Sequence, residues 1–327
     1  MFAARYHIKI GIKNSLLLCA CILLSCKEDE GIPNFSDDSN LRLKSIRSYS
    51  NSNPNQLFII SFNYDTNGKL INTQSNFFGS STAVLKYDGT GKLVQVGDYE
   101  YIYNNENKII NIENDNLSVF SGTYEGTSIE YSDGKITSMT EKFSDGTTDR
   151  INTFNLTYNN RDQINSLFTT VKDVNADLNR EYIIRLDKES YTYDVTGNIE
   201  NIIREFDYES GNTPVFFINY GFDSYRNPAQ LVLKTMGIEE ENSLLFLRAI
   251  SERSHFNTGP LFNYFSNNVV FYDQEPQTSD DNFVHYRFRI SYQYNEFGYP
   301  VSAVETQTLV NRGEEFIDNM TWEYEEY

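Results

Sequence analysis

Tyr64-Asp65-Thr66-Asn67-Gly68-Lys69-Leu70 is one copy of a unit that recurs along this chain. It reads aromatic, Asp or Asn, two or so turn residues, Gly or Asn, a polar residue, then an aliphatic. The unit returns at Tyr87 to Leu93, Tyr103 to Ile109, Tyr131 to Ile136, Tyr158 to Ile164 and Tyr193 to Ile199. Further copies are Phe222 to Pro228 and Tyr294 to Val301. An internal repeat of this kind sets the architecture before any single motif does. Asp or Asn at the second place starts a turn by bonding backbone two residues on. The Gly place suits a left-handed residue, as in a type I turn closed by a bulge. Its occupants are Gly68, Gly91, Asn107, Gly134, Asp162, Gly197, Asn227 and Gly298. Where Gly is missing, Asn and Asp stand in, the residues that best tolerate that backbone. These eight positions are therefore assigned to structural turns.

The flanks alternate as strands do. Phe58, Ile60, Phe62 and Tyr64 share one parity, as do Phe288, Ile290, Tyr292 and Tyr294. The opposite parity of the second set is Arg287, Arg289, Ser291 and Gln293, a solvated face. After each turn the aliphatics fall at i and i+3, as Leu93 and Val96 or Ile109 and Ile112 do. An odd step sends two side chains to opposite faces unless a bulge resets the register, and the turn type already calls for one. The expected fold is all-β: an antiparallel meander of hairpins over 41–327, forming a curved sheet or a soluble barrel. The gap between turns 227 and 298 holds something else. Ser243 to Arg253 reads as a short helix within an insertion at about 237–268. Val269 to Tyr272 reads as a strand and Gln274 to Asp281 as a loop.

Outside the repeats, Leu16 to Leu24 is an apolar run preceded by Arg5, Lys9 and Lys13. It is too short to span a bilayer as a helix, and it reads as a signal peptide over 1–25. Leu23-Leu24-Ser25-Cys26 resembles a bacterial lipobox, which implies lipidation at Cys26 and a membrane partner through that anchor. The three cysteines, Cys19, Cys21 and Cys26, all lie in or beside this segment, so the folded part uses no disulfide. Lys27-Glu28-Asp29-Glu30 resembles the Lys-plus-acidic export signal of Bacteroidota-type lipoproteins. That implies the exterior face of the outer membrane. Residues 26–40, polar and turn-rich, read as the lipidated Cys and a flexible tether.

The Tyr-Asp-x-x-Gly-x-aliphatic unit resembles the YD repeat of Rhs-type shells. More closely, the chain resembles the YD-repeat lipoproteins of Bacteroidota, uncharacterised families in which a lipobox precedes one antiparallel, porin-like or open-barrel sheet. The likeness covers about 57–327, implies the fold, and carries no catalytic residues. Uneven spacing and the long stretch at 237–285 depart from a uniform shell.

Cleavage after Ser25 removes three of 27 basic residues and none of 46 acidic ones, leaving 24 − 46 = −22. Such a charge excludes nucleic acid as a partner. A bilayer-spanning barrel needs apolar outward faces. Trp322 and Tyr324 share a parity with Glu326, and Tyr327 with Glu323 and Glu325, so the terminal strand lacks one.

Chemistry is sparse. After residue 25 the chain has two histidines, His255 and His285, and no metalloprotease, serine-hydrolase or P-loop motif. Asp65 to Gly68 and Asp194 to Gly197 lack the ligand ladder of a calcium loop. No cofactor and no metal is expected. Phe262, Tyr264 and Phe265, in the irregular insertion, together with Trp322, are the candidate ligand-binding aromatics. The reading is a non-catalytic surface lipoprotein that binds a glycan or another envelope protein. A carboxylate-based polysaccharide hydrolase and a purely structural envelope protein stay open as alternatives.

Overall fold

The computed structural model describes residues 35–51, 53–76, 81–114, 118–119, 122–175, 180–208, 213–238, 267–277 and 285–327. The first strands are β1 (Leu41–Ser50), β2 (Asn53–Tyr64), β3 (Leu70–Ser75), β4 (Ser81–Tyr87) and β5 (Leu93–Val96). Next come β6 (Tyr99–Tyr103), β7 (Ile109–Glu113), β8 (Ser118–Val119), β9 (Gly122–Ser132) and β10 (Lys135–Ser144). Then follow β11 (Thr148–Tyr158), β12 (Ile164–Asn175), β13 (Arg180–Tyr193), β14 (Ile199–Tyr208) and β15 (Val215–Arg226). A helix, α1 (Ala229–Met236), precedes β16 (Asn267–Pro276), β17 (Tyr286–Tyr294), β18 (Pro300–Leu309) and β19 (Glu314–Glu326).

Apart from β7 and β8, consecutive strands pair antiparallel; β7 pairs with β9, and β19 pairs back onto β1. β8 pairs only with β9, so of the nineteen strands eighteen form the ring and the sheet has no edge. The sheet is thus a closed barrel, and the curved-sheet alternative does not hold.

The repeat explains the geometry at one end. Asp65 Oδ1 accepts the backbone N–H groups of Asn67 and Lys69, at 2.8 and 2.9 Å. Asp88, Asn104, Asn159, Asp194 and Asn295 do the same in their own turns. These carboxylate and amide oxygens are therefore spent on backbone. The residue at the Gly place has positive φ at Gly68, Gly91, Asn107, Gly134, Asp162, Gly197 and Gly298, between +64° and +96°. Asn227 departs from the set. It has no positive φ, and its Oδ1 accepts the Ala229 N–H at the start of α1, with Pro228 already helical at φ −64°. Asn-Pro here opens a helix instead of closing a hairpin. Gly237, at φ +69°, ends it.

Each turn is followed by a one-residue bulge. Asn63 faces Asn72 while Tyr64 faces Leu70, so Ile71 is the extra residue. The same skip occurs in the hairpins of Tyr87, Tyr103, Tyr158, Tyr193 and Tyr294. It turns the i and i+3 aliphatics to one face, the interior. Leu70, Leu93, Val96, Ile109 and Ile112 are all buried there.

Tyrosine is used at most of the turns for its hydroxyl. Tyr64 OH donates to the Leu43 carbonyl, Tyr87 to Leu70, Tyr103 to Leu93, Tyr131 to Ile109, Tyr158 to Ile136 and Tyr193 to Ile164, at 2.5 to 2.8 Å. Tyr324 donates to the Pro300 carbonyl at 2.8 Å. Each of these tyrosines thus satisfies the hairpin before it, whereas Tyr294 donates to the Asp223 carboxylate. Lysines reach forward in the same way: Lys69 lies 4.3 Å from the Tyr87 ring centre and Lys92 4.6 Å from that of Tyr103.

α1 packs on β1 and β3. Its Val232 and Met236 join the buried apolar cluster of Leu43, Phe62, Ile109 and Trp322. The tyrosine end of the barrel is therefore a packed core. Phe35 to Asn40, read from sequence as part of a tether, lie on this end. Asp38 accepts from Tyr299 OH at 2.6 Å and pairs with Arg226 at 3.0 Å, which holds the segment down. The helix expected at Ser243 to Arg253 lies outside the described residues. The strand expected at Val269 to Tyr272 extends in both directions as β16, through part of the expected loop.

Candidate functional site

Residues directly opposite in an antiparallel pair share a face. Carrying that rule around the ring from buried Ile46 and Trp322 fixes which side chains line the interior. The outer wall presents Arg47, Glu100, Lys142, Lys188, Glu205 and Arg289. Some exposed apolar residues on it stand between polar neighbours, Phe168 between Asn155 and Lys188 and Val304 between Ser291 and Asn319, while Ile203 faces Phe217 and Tyr49 faces Leu57. A bilayer-spanning barrel has the reverse pattern, with an apolar band outside and a polar lumen. The charged residues on this wall fit a soluble barrel.

Inside, the composition changes along the axis. On β13 the inward positions run Tyr193, Tyr191, Glu189, Asp187 and Arg185 from the tyrosine end. Their partners on β14 are Ile199, Ile202, Arg204, Phe206 and Tyr208. Tyrosine and isoleucine close the packed end, and a belt of charge and aromatic rings follows. Arg150 holds Asp173 with two parallel hydrogen bonds, 2.9 and 3.0 Å. Arg204 pairs with Glu189 at 2.7 Å, and Glu189 also accepts from Tyr191 OH. Arg185 Nε lies 2.9 Å from Asp187 Oδ2 but is not aligned as a hydrogen bond.

Aromatic rings frame this belt. The guanidinium groups of Arg185 and Arg204 lie 6.0 and 5.9 Å from the Phe206 ring centre. Phe206 meets Phe216 edge-on at 5.7 Å, and Tyr220 meets Tyr272 edge-on at 5.2 Å. Burial pushes the Asp187 carboxyl up, opposed by Arg185 and Arg204. Burial also pushes the Tyr272 phenol up to about 12. Further round the ring, Glu305 on β18 faces inward, opposite Ile290 on β17 and Asp318 on β19. It is buried, and its carboxyl is pushed up to about 7 by that burial, with Asp318 adding to the effect.

The aromatics singled out from sequence are not brought to this belt. Phe262, Tyr264 and Phe265 lie outside the described residues, as do Cys26, Lys27, Glu28, Asp29, Glu30 and His255. Trp322 is part of the packed apolar cluster, 6.0 Å from Tyr292, and its Nε1 has no hydrogen-bond partner among the described residues. His285 Nε2 sits 2.5 Å from Asp273 Oδ1, and Arg287 Nη2 holds the other oxygen at 2.9 Å. Asp273 and Arg287 face each other on the outer wall, so this trio is separate from the lumen.

The sequence missed Arg185, Asp187, Glu189 and Arg204. The signal was present: three of them share the parity of Tyr191 and Tyr193, already marked as inward by the repeat.

No protein-family model matches this sequence, and none of the curated proteins is similar to it. Among solved structures, a porin-like protein from Bacteroides vulgatus ATCC 8482 is similar at 12% identity and a TM-score of 0.46. The similarity covers 87% of this chain and 98% of that one. A porin-like protein from Bacteroides uniformis ATCC 8492 is similar at 11% identity and a TM-score of 0.42, covering 86% and 96%. Identities this low transfer no function.

Proposed function

We propose that this chain is a non-catalytic, lipid-tethered barrel that binds a ligand in its lumen at the outer surface of an outer membrane. The observation that carries the binding reading is the change of lining along the axis. One end is packed shut with tyrosine, isoleucine and α1, while the belt beyond it holds partly exposed arginines between aromatic rings. Concave sites that combine apolar faces with a few oriented polar groups are the usual form of a ligand pocket. A glycan, or a segment of another envelope protein, suits such a lining. The location rests on sequence: the lipobox at Cys26 and the charged Lys27 to Glu30 that follow. The water-facing wall supports a tethered barrel over an inserted one. The likeness to YD-repeat lipoproteins rests on the turn units.

Calorimetric titration of the full chain with soluble glycan fractions and with purified envelope proteins tests this. Saturable binding that Arg204→Ala abolishes, with an unchanged circular dichroism spectrum, is the expected result. Failure of every ligand would leave the purely structural reading in its place.

A hydrolase reading draws on one observation. Glu305 and Asp318 are facing carboxyl groups on the lumen wall, and an acid pushed up to about 7 is suited to protonate a leaving group. Release of reducing sugar from polysaccharides, lost in Glu305→Gln, would establish it.

A further inference from the structure

We propose that the belt around Asp187 binds a neutral saccharide, gripping neighbouring hydroxyl groups of one sugar ring. The inference rests on the lumen-binding reading above and names its ligand class and its contacts.

Two polar atoms of the belt, Asp187 Oδ1 and Arg204 Nε, are buried without a hydrogen-bond partner among the described residues, while Arg185 Nε is held by the ion pair to Asp187 Oδ2 at 2.9 Å. The Asp187 side chain is 9% exposed and points inward, opposite Thr169 and Phe206. A buried carboxylate oxygen left unmatched is costly, and so is a guanidinium N–H. What is missing must accept from arginine and donate to aspartate. A hydroxyl does both. A carboxylate or phosphate cannot donate, and an ammonium cannot accept.

Charge points the same way. Arg150, Arg185 and Arg204 pair with Asp173, Asp187 and Glu189, so no arginine of the belt is left as a free positive charge. Glu141, opposite Asn152 on the inward face of β10, and Glu305 and Asp318 further round add negative charge to the lumen wall, which disfavours an anion. A cation would leave the Arg204 Nε–H unmet. The Phe206 and Phe216 rings, with Tyr220 and Tyr272, supply apolar surface for the C–H face of a pyranose. Water can satisfy such atoms singly, but it makes no use of the rings.

The test is calorimetric titration of the full chain with malto-, xylo-, manno- and galacto-oligosaccharides, and with oligogalacturonate as the anionic arm. At least one neutral series should bind with a Kd below about 1 mM, little changed between about 50 and about 500 mM salt. Asp187→Asn should weaken it about tenfold or more, and Phe206→Leu should weaken it while leaving the charges in place. Melting curves establish that each variant is folded, and an unfolded variant is replaced by Arg204→Lys. Binding of oligogalacturonate alone, or neutral binding that folded Asp187 and Phe206 variants leave unchanged, overturns the assignment while the lumen reading stands. Binding of an envelope protein with no sugar bound overturns it in the same way. Silence from every ligand removes both.

Discussion

Glu305 offers a direct measurement of what the barrel interior costs a charge. It is 8% exposed on the inward face of β18, beside Asp318, and its carboxyl is pushed from the ordinary 4.5 to about 7. Between those two values the folded protein holds a proton that the unfolded chain has released. Stability therefore falls as pH rises through that window, and the full penalty is present above about pH 7. A rise from 4.5 to about 7, at about 1.4 kcal/mol per pH unit, amounts to about 3 kcal/mol. Glu305→Gln keeps the shape and removes the charge. It should leave stability unchanged near pH 4 and raise it by up to about 3 kcal/mol near pH 8, roughly 5 °C in Tm for a domain of this size. Urea titrations of both proteins across that range read the difference, and the effects of groups not coupled to Glu305 cancel. A Gln variant that gains equally at both ends, or loses stability at pH 8, would refute the argument that burial sets the proton affinity of Glu305.

Other outcomes follow from the repeat and the leader. Tyr103→Phe removes one hydroxyl from the Leu93 carbonyl and should cost about 1 kcal/mol in denaturant titration, with Tyr158→Phe close to it. Gly91 has φ +87°, and a Cβ there would sit 2.8 Å from Lys69 Nζ. Gly91→Val should cost about 1–2 kcal/mol, and Gly91→Asn less, since Asn107 already holds φ +64°. Equal losses for the two would sink the turn assignment. Cys26→Ala should abolish palmitate labelling of the full chain, and protease added to whole cells should degrade the wild type. Protection of the wild type would argue against the exterior face.

The parts of the fold written in local sequence were legible, and those set by distant pairing were not. Asp65, Asn67 and Gly68 make a turn with partners at most four residues away, so the unit can be read in isolation. The bulge followed from the odd spacing of Leu93 and Val96. Closure is different. Ile46 meets Trp322 across the whole length of the chain, and no local pattern in either strand encodes that contact. α1 was hidden by register: Asn227-Pro228 fell at the turn position of an aligned repeat, although the pair is also a helix start. In the lumen, Arg185, Asp187 and Glu189 resemble a solvated strand face until parity is carried back from Tyr193. Their charge argued for water on the outside, and the barrel supplies a different place for it. The fold of Phe35 to Asn40 onto the barrel depends on Asp38 finding Arg226 and Tyr299, neither of which lies near it in sequence.

Pairing of β1 with β19 gives the ring a single seam, and that seam governs how the protein is made. Until β19 exists, β1 and the latest finished strand each present an open row of backbone groups. A growing chain therefore passes through a long stage with two adhesive edges, and hairpins formed early cannot remove them. Closure joins residues at opposite ends of the chain, the kind of contact that slows folding. The pairings across the seam, Leu43 with Tyr324 and Ile46 with Trp322, can form only when it shuts. Maturation should thus finish in one late, slow event, and a truncation that removes β19 should yield sticky, open sheets in place of a slightly smaller barrel.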